Sequence, residues 1–77
     1  MTAVEFPRMS AENPAAAGIL ATWYVRDGES VADGQLIAEV QMDKVDAEVR
    51  APATGTIRLS VDEGAELVQG TQIARID

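Results

Sequence analysis

Lys44 is the only lysine in the sequence, and the other basic residues are all arginines. Apart from the N-terminus, its amine is the only group that can form a stable amide with a carboxylic acid, because a guanidinium is too basic to do so. Lys44 lies in a short polar turn between two runs of strand-forming residues. The sequence therefore offers one side chain for acylation, although an arginine-rich composition would also explain the scarcity of lysine.

The sequence contains no cysteine and no histidine. Without cysteine there can be no disulfide and no thiolate metal site. Without histidine the chain lacks the usual general base and the commonest metal ligand. The carboxylates form no recognisable catalytic or calcium-binding pattern. The composition therefore excludes a catalytic triad and argues against a zinc site and against an enzyme.

The net charge is −7, with acidic residues along the whole chain. No basic face is available to displace counterions from a nucleic acid, and an anionic membrane is disfavoured for the same reason. The N-terminal segment lacks the pattern of a signal sequence, and no apolar run has the length of a membrane span. We expect a cytoplasmic protein or a domain of one, monomeric when isolated, whose partners present a basic docking surface.

The sequence repeats itself after a shift of 36 residues, so that residues 18–40 align with residues 54–76. Each copy contains a strand, an acidic residue–glycine turn, a short apolar step, a second glycine turn and another strand. Two copies are too few for a solenoid, but they can form the halves of one domain, residues 1–77, around a shared core. The identical pairs are Val25/Val61, Gly28/Gly64, Gly34/Gly70, Ile37/Ile73 and Ala38/Ala74.

Short strands separated by evenly spaced turns predict an all-β fold. We expect two small antiparallel sheets, packed as a sandwich or a flattened barrel and related by a pseudo-two-fold axis. Residues 41–45 should form the turn that carries Lys44, and residues 10–17 a loop. The predicted strands cover residues 4–9, 19–25, 36–40, 46–50, 57–61 and 72–76. The predicted core consists of Val25, Val31, Leu36, Ile37, Val40, Val49, Ile57, Leu59, Val61, Leu67, Ile73 and Ile76.

The pseudo-two-fold axis also predicts where Lys44 lies relative to the chain ends. The shift that relates the two copies maps Lys44 onto Arg8, near the N-terminus. One end of the molecule would then carry a closed hairpin turn and the other end the termini. This arrangement suits a tethered carrier, in which the tether leaves one end and the cargo is attached at the other.

The tripeptide Asp43-Lys44-Val45 resembles the lipoyl attachment segment of the carrier domains in 2-oxo acid dehydrogenase complexes, in which Asp-Lys-Ala or Asp-Lys-Val occupies a β-turn. The likeness covers nearly the whole chain. Its other matching positions are Gly18, Trp23, Asp27-Gly28, Val31, Gly34, Ala51-Pro52, Gly55, Glu63-Gly64 and Gly70. The resemblance implies a non-catalytic carrier domain with lipoate attached covalently to Lys44.

The same resemblance implies a set of partners. Lipoate ligase or lipoyl transferase would modify the lysine, and a thiamine-dependent 2-oxo acid dehydrogenase would load an acyl group onto the lipoyl arm. An acyltransferase core would accept that group, and dihydrolipoamide dehydrogenase, a flavin enzyme, would reoxidise the arm. Around the turn, the candidate recognition residues are Asp43, Val45 and Met42, although turn chemistry alone would also explain Asp43. Glu12, Asn13 and Pro14 are the candidates from the neighbouring loop, although a variable surface loop would explain them equally well.

Two alternatives stay open. Biotin carriers share this fold and usually place methionine on both sides of the modified lysine. Here Asp43 and Val45 flank Lys44, whereas Met42 occupies a position where lipoyl domains more often have a small hydroxyl residue. The second alternative is a β-sandwich binding module that carries nothing, in which Lys44 is an ordinary solvated turn residue.

Overall fold

Eight strands and no helix make up the fold in the computed structural model, which describes residues 1–77. The strands are β1 (Thr2–Glu5), β2 (Ala17–Trp23), β3 (Ser30–Val31), β4 (Leu36–Met42), β5 (Val45–Arg50), β6 (Gly55–Leu59), β7 (Glu66–Val68) and β8 (Gln72–Ile76). They form two antiparallel sheets with the orders β1-β8-β6-β3 and β5-β4-β2-β7. The all-β prediction of two antiparallel sheets is confirmed, and the sheets do not close into a barrel. No helix that could cross a membrane is present.

The two sheets are exchanged by the predicted pseudo-two-fold axis. The strands correspond one to one across the two sheets: β1 to β5, β8 to β4, β6 to β2 and β3 to β7. Equivalent residues make equivalent hydrogen bonds. Tyr24 N donates to Ile37 O at 2.9 Å, and Ser60 N, 36 positions later, donates to Ile73 O at 2.9 Å. The internal repeat of the sequence is therefore a repeat of the backbone hydrogen-bonding pattern.

The acidic residue before each first turn glycine joins the two halves. The Asp27 carboxylate accepts a hydrogen bond from Leu59 N at 2.9 Å, and the equivalent Glu63 carboxylate accepts one from Trp23 N at 2.7 Å. Each turn is thus hydrogen-bonded to a strand of the other half. The four turn glycines all have a positive φ of 84–87°, which a residue without a Cβ adopts readily; they are Gly28, Gly34, Gly64 and Gly70.

The first predicted strand, residues 4–9, was too long. Strand β1 ends at Glu5, and Phe6 continues the pairing by one residue, donating to Thr71 O and accepting from Gly70 N at 2.9 Å each. Pro7 has no N–H, so the pairing cannot continue past it. The side chain of Phe6 is fully buried, although the sequence analysis did not place it in the core.

The mapping of Lys44 onto Arg8 was wrong. Ala38 pairs with Val49 and Ala74 pairs with Val4, so strands β5 and β1 correspond with an offset of 45 residues. The counterpart of the β4–β5 turn is therefore the gap between the two chain ends, while the Arg8 guanidinium covers Gly70. The predicted separation is nevertheless correct. Strand β1 runs from the Thr2–Ile76 pair at the termini towards Phe6, whose ring lies against Gly18 beside Gln41, so the termini are at the end away from the Lys44 turn.

Fifteen buried hydrophobic residues from both sheets form one core. All predicted core residues are buried except Leu36, Leu59, Val61 and Leu67, which are half-buried. The core residues that the sequence analysis missed are Val4, Phe6, Leu20, Ala38, Met42, Ala51 and Ala74. Side chains of β4 do not alternate strictly between inward and outward directions. A register shift between Leu36 and Ala38 places both Ile37 and Ala38 inside the core. The short strands β3 and β7 were not predicted as strands either.

Strand β2 contains an extra residue that the repeat did not reveal. The register of β2 against β4 shifts between Leu20 and Thr22, which leaves Ala21 without a partner. Upstream of this bulge the offset between the halves becomes 37, so Gly18 corresponds to Gly55. A Cβ on either glycine would collide with a backbone carbonyl, that of Gln41 for Gly18 and that of Asp77 for Gly55. Both glycines are therefore required because another strand passes too close.

Candidate functional site

Lys44 occupies the tip of the β4–β5 hairpin. Met42 pairs with Val45 at the end of the ladder, so only Asp43 and Lys44 remain in the loop. The observed turn is therefore shorter than the turn predicted over residues 41–45. Asp43 has a φ of 55°. Two-residue hairpin loops need a positive φ at their first position, and aspartate tolerates this conformation better than most residues. The local sequence therefore suits a tight hairpin with Lys44 at its apex.

The Lys44 side chain is exposed and makes no polar contact within the protein. The three ion pairs of the structure join Arg8 to Glu5, Arg50 to Glu48 and Arg75 to Asp77. None of the side-chain hydrogen bonds involves Lys44. A large enzyme can therefore approach the amine at a convex tip without displacing an existing interaction.

The three predicted recognition residues lie in different environments. Asp43 and Val45 are at the surface beside Lys44, and the Val45 side chain is 58% exposed. Met42 is instead part of the core, with 6% of its surface exposed. A partner enzyme can touch Asp43 and Val45 directly, whereas Met42 supports the hairpin from below.

The charge around the tip is acidic. Asp43 and Asp46 are exposed on either side of Lys44, and Gln41 pairs with Asp46 across the hairpin. Glu48, further along β5, is in an ion pair with Arg50 at 2.9 Å. An incoming partner therefore meets one amine among unpaired carboxylates, which favours a basic contact surface.

The loop that precedes β2 reaches the same end of the molecule. Ile19 pairs with Gln41, two residues before Asp43. Ala17, two residues before Ile19 on the antiparallel strand, therefore lies level with the turn. The loop side chains of Glu12, Asn13 and Pro14 are exposed. The structure thus brings the loop and Lys44 to one end of the molecule, as the sequence analysis expected for a recognition surface.

Gln69 is a residue of this region that the sequence analysis missed. It is the one buried polar side chain, with 5% of its surface exposed, and it makes three hydrogen bonds to the loop. In the sequence it resembles an ordinary turn residue before Gly70. No local signal could identify it, because its partners lie 56–59 positions away.

The surface forms no pocket, and no group of side chains is arranged to hold a metal ion. A family model described as "Biotin-requiring enzyme" (Biotin_lipoyl) matches residues 3–76.

The chain belongs to the biotin/lipoyl family. Two of its relatives are acyltransferase components of 2-oxo acid dehydrogenase complexes. The chain is 41% identical over 59 residues to the dihydrolipoyllysine-residue succinyltransferase component of the 2-oxoglutarate dehydrogenase complex of Rickettsia conorii. It is 36% identical over 61 residues to the dihydrolipoyllysine-residue acetyltransferase component of the pyruvate dehydrogenase complex of Staphylococcus epidermidis. These matches cover 75% and 78% of the chain, but only 15% and 14% of the relatives.

A solved structure of a lipoyl domain resembles the chain over almost its full length. The solution structure of the lipoyl domain of the 2-oxoglutarate dehydrogenase complex from Azotobacter vinelandii aligns with a TM-score of 0.76 at 30% sequence identity. The alignment covers 97% of this chain and 96% of that domain. Members of this kind are carrier domains, and the chain is accordingly a carrier of the lipoyl type and not a catalyst.

Proposed function

We propose that the domain carries lipoate as an amide on Lys44 and moves acyl groups between the active sites of a 2-oxo acid dehydrogenase complex. The observation that carries this proposal is the position of the only lysine, at the tip of a two-residue hairpin in a lipoyl-type fold. Amide formation consumes the Lys44 amine and removes one positive charge from an already acidic surface.

The residues around the turn hold the attachment point of the carried group in a fixed position. The Met42–Val45 pair closes the ladder directly below the loop, and the burial of Met42 anchors this pair in the core. Lipoate, when bound, supplies a disulfide that accepts an acyl group with two electrons and later releases both. Because Lys44 lies at the end opposite to the termini, a segment leaving either terminus would not obstruct it.

The proposed partners follow from the relatives, which are acyltransferase components of 2-oxo acid dehydrogenase complexes. Lipoate ligase or lipoyl transferase attaches the cofactor, a thiamine-dependent dehydrogenase loads the arm, an acyltransferase core unloads it, and dihydrolipoamide dehydrogenase reoxidises it. Tethering then replaces free diffusion with an effective concentration on the order of millimolar. A cytoplasmic location belongs to the same proposal.

Recognition of the domain is assigned to the surface around the tip. Asp43 and Val45 are the side chains that a modifying enzyme meets first, since both are exposed next to Lys44. Met42 contributes through packing below the turn. Glu12 and Asn13 present polar groups from the loop at the same end.

Intact-mass measurement tests the proposed modification. The wild-type domain is co-expressed with lipoate ligase in one culture and with biotin ligase in another, each supplied with its cofactor. We expect the mass of one lipoyl group in the first culture, mapped to Lys44 by peptide sequencing, and no adduct in the second. The matched control is Lys44→Arg, which keeps the charge but cannot form the amide.

Each other outcome supports an alternative. A biotin adduct on Lys44 without a lipoyl adduct would assign the domain to the biotin carriers. An unmodified wild type in both cultures would support a binding module that carries nothing. A lipoyl adduct that survives in the Lys44→Arg variant would contradict Lys44 as the attachment site.

A further inference from the structure

Gln69 holds both ends of the loop segment 10–16, the first through its buried side chain and the last through its backbone N–H. Its Oε1 accepts a hydrogen bond from Ser10 N at 2.9 Å, and its Nε2 donates to Ser10 O at 2.7 Å and to Asn13 O at 3.0 Å. Its backbone N–H donates to Ala16 O at 3.0 Å. One residue of the β7–β8 turn therefore fixes the loop at its first, middle and last positions.

The other half of the molecule shows that the fold does not need this arrangement. The β1–β2 connection uses residues 6–16, whereas the equivalent β5–β6 connection uses only residues 51–54. Gln69 corresponds to Asp33, which is exposed and whose carboxylate makes no hydrogen bond. Asp33 makes one bond to the short connection, from its backbone N to the Thr54 hydroxyl at 3.0 Å. The long loop and its buried amide therefore occur together, and only at the Lys44 end.

Burying an amide in a domain of this size is costly unless all its polar atoms are paired. Gln69 meets that requirement by bonding main-chain groups of the loop, so it occupies none of the loop's side chains. Within the loop, Asn13 Oδ1 accepts a local hydrogen bond from Ala15 N at 3.2 Å. The result is a surface segment of fixed shape that exposes Glu12, Asn13 and Pro14 at the Lys44 end of the molecule.

We propose that Gln69 is a positioning residue that keeps segment 10–16 ordered beside Lys44, so that the thiamine-dependent dehydrogenase recognises this carrier. This inference rests on the proposed function. The carried arm does not itself differ between carriers, so a partner that distinguishes them must contact the protein around the turn. A segment that is already ordered lowers the entropy lost on association. The enzyme that attaches the cofactor needs only the exposed amine and the hairpin tip.

The decisive variant is Gln69→Leu, which removes the three side-chain hydrogen bonds and keeps a buried side chain of similar size. Its matched control is Asp33→Leu at the equivalent position in the other half. Both proteins and the wild type are lipoylated by lipoate ligase and offered to the thiamine-dependent dehydrogenases of pyruvate and of 2-oxoglutarate. With the dehydrogenase that acylates the wild type, we expect the KM of Gln69→Leu to rise about tenfold, the scale of one or two lost hydrogen bonds.

The same experiment separates positioning from general damage. In Gln69→Leu we expect unchanged kcat, unchanged lipoylation and faster hydrogen exchange of the Ser10 amide, with no change in any of these for Asp33→Leu. An unchanged KM despite faster exchange would overturn the inference, and so would unchanged exchange. A wild type that takes up no lipoyl group would contradict the proposed function, and this inference with it.

A second pair of variants tests the inference if Gln69→Leu fails to fold. Asn13→Ala and Asn13→Gly both remove the exposed side chain, but only glycine also frees the backbone of the segment. We expect Asn13→Gly to raise the KM about two- to fivefold more than Asn13→Ala, because a gain of about 0.5–1 kcal/mol in backbone freedom corresponds to roughly that ratio. Equal KM values for the two variants would show that the order of the loop is irrelevant to recognition.

Discussion

The two halves of the molecule share one backbone pattern but end differently. At one end a two-residue hairpin carries Lys44, a long loop lies beside it, and Gln69 and Phe6 are buried beneath. At the other end the chain termini replace the hairpin, the connection has four residues, and Asp33 and Ala51 occupy the positions equivalent to Gln69 and Phe6. The repeat therefore accounts for the fold, whereas the departures from it collect where the carried group is proposed to be attached.

The largest expected asymmetry concerns Phe6 and its counterpart Ala51. Phe6→Ala removes a fully buried ring and should lower the free energy of unfolding by about 3–5 kcal/mol. Ala51→Gly should cost only about 1 kcal/mol, mostly through chain entropy. Urea unfolding followed by Trp23 fluorescence measures both. Equal losses would mean that the Phe6 ring does not fill a space specific to the Lys44 end.

The equivalent glycines of β2 and β6 test the symmetric part of the comparison. Gly18→Ala and Gly55→Ala should each lower the free energy of unfolding by about 1–3 kcal/mol, because the added methyl overlaps a backbone carbonyl. Gly34→Ala is the control, since it has open space but a φ of 86°, and should cost about 1 kcal/mol. A neutral Gly18→Ala would contradict the close approach of β4 to β2.

Asp43 has no counterpart in the other half, so it tests what the hairpin requires. Asp43→Val should destabilise the domain by about 1–2 kcal/mol, because a β-branched residue tolerates the positive φ poorly. Asp43→Asn should stay within about 0.5 kcal/mol of the wild type. Thermal unfolding of the unmodified proteins would show the difference. If Asn is as harmful as Val, the carboxylate and not the turn conformation is what the position needs.

The smallest effects are expected for the acids that join the two halves. Asp27→Ala and Glu63→Ala each remove one hydrogen bond to a backbone N–H in an exposed setting and should cost about 1 kcal/mol. The two losses should agree within about 0.5 kcal/mol, and Asp62→Ala, whose side chain makes no hydrogen bond, is the control. Losses that differ by more than this would show that the halves are not energetically equivalent.

The features that the sequence revealed are those set by neighbouring residues. Asp27-Gly28 and Glu63-Gly64 are turns because glycine adopts a positive φ easily. Lys44 is exposed because it is one of only two residues in the loop between two paired strands. The repeat then related these local features to one another. The fold and the position of Lys44 could therefore be predicted without coordinates.

The features that the sequence did not reveal depend on distant contacts. Gln69 bonds to residues 56–59 positions away, and Phe6 packs against Gly18 across the sheet interface. The unpaired Ala21 and the register shift next to Ile37 alter which side chains face inward. None of these can be read from local propensity or strict alternation, because each is decided by which strands lie opposite one another.

The central claim is that the position of Lys44, and not the mere presence of a lysine, determines the modification. The double variant Lys44→Arg/Arg75→Lys moves the only lysine to an exposed strand position at the other end and leaves the net charge unchanged. Intact mass after co-expression with lipoate ligase measures the outcome. We predict a complete lipoyl adduct on the wild type and none on the double variant. A lipoyl adduct on the relocated lysine, or its absence from the wild type, would contradict the claim.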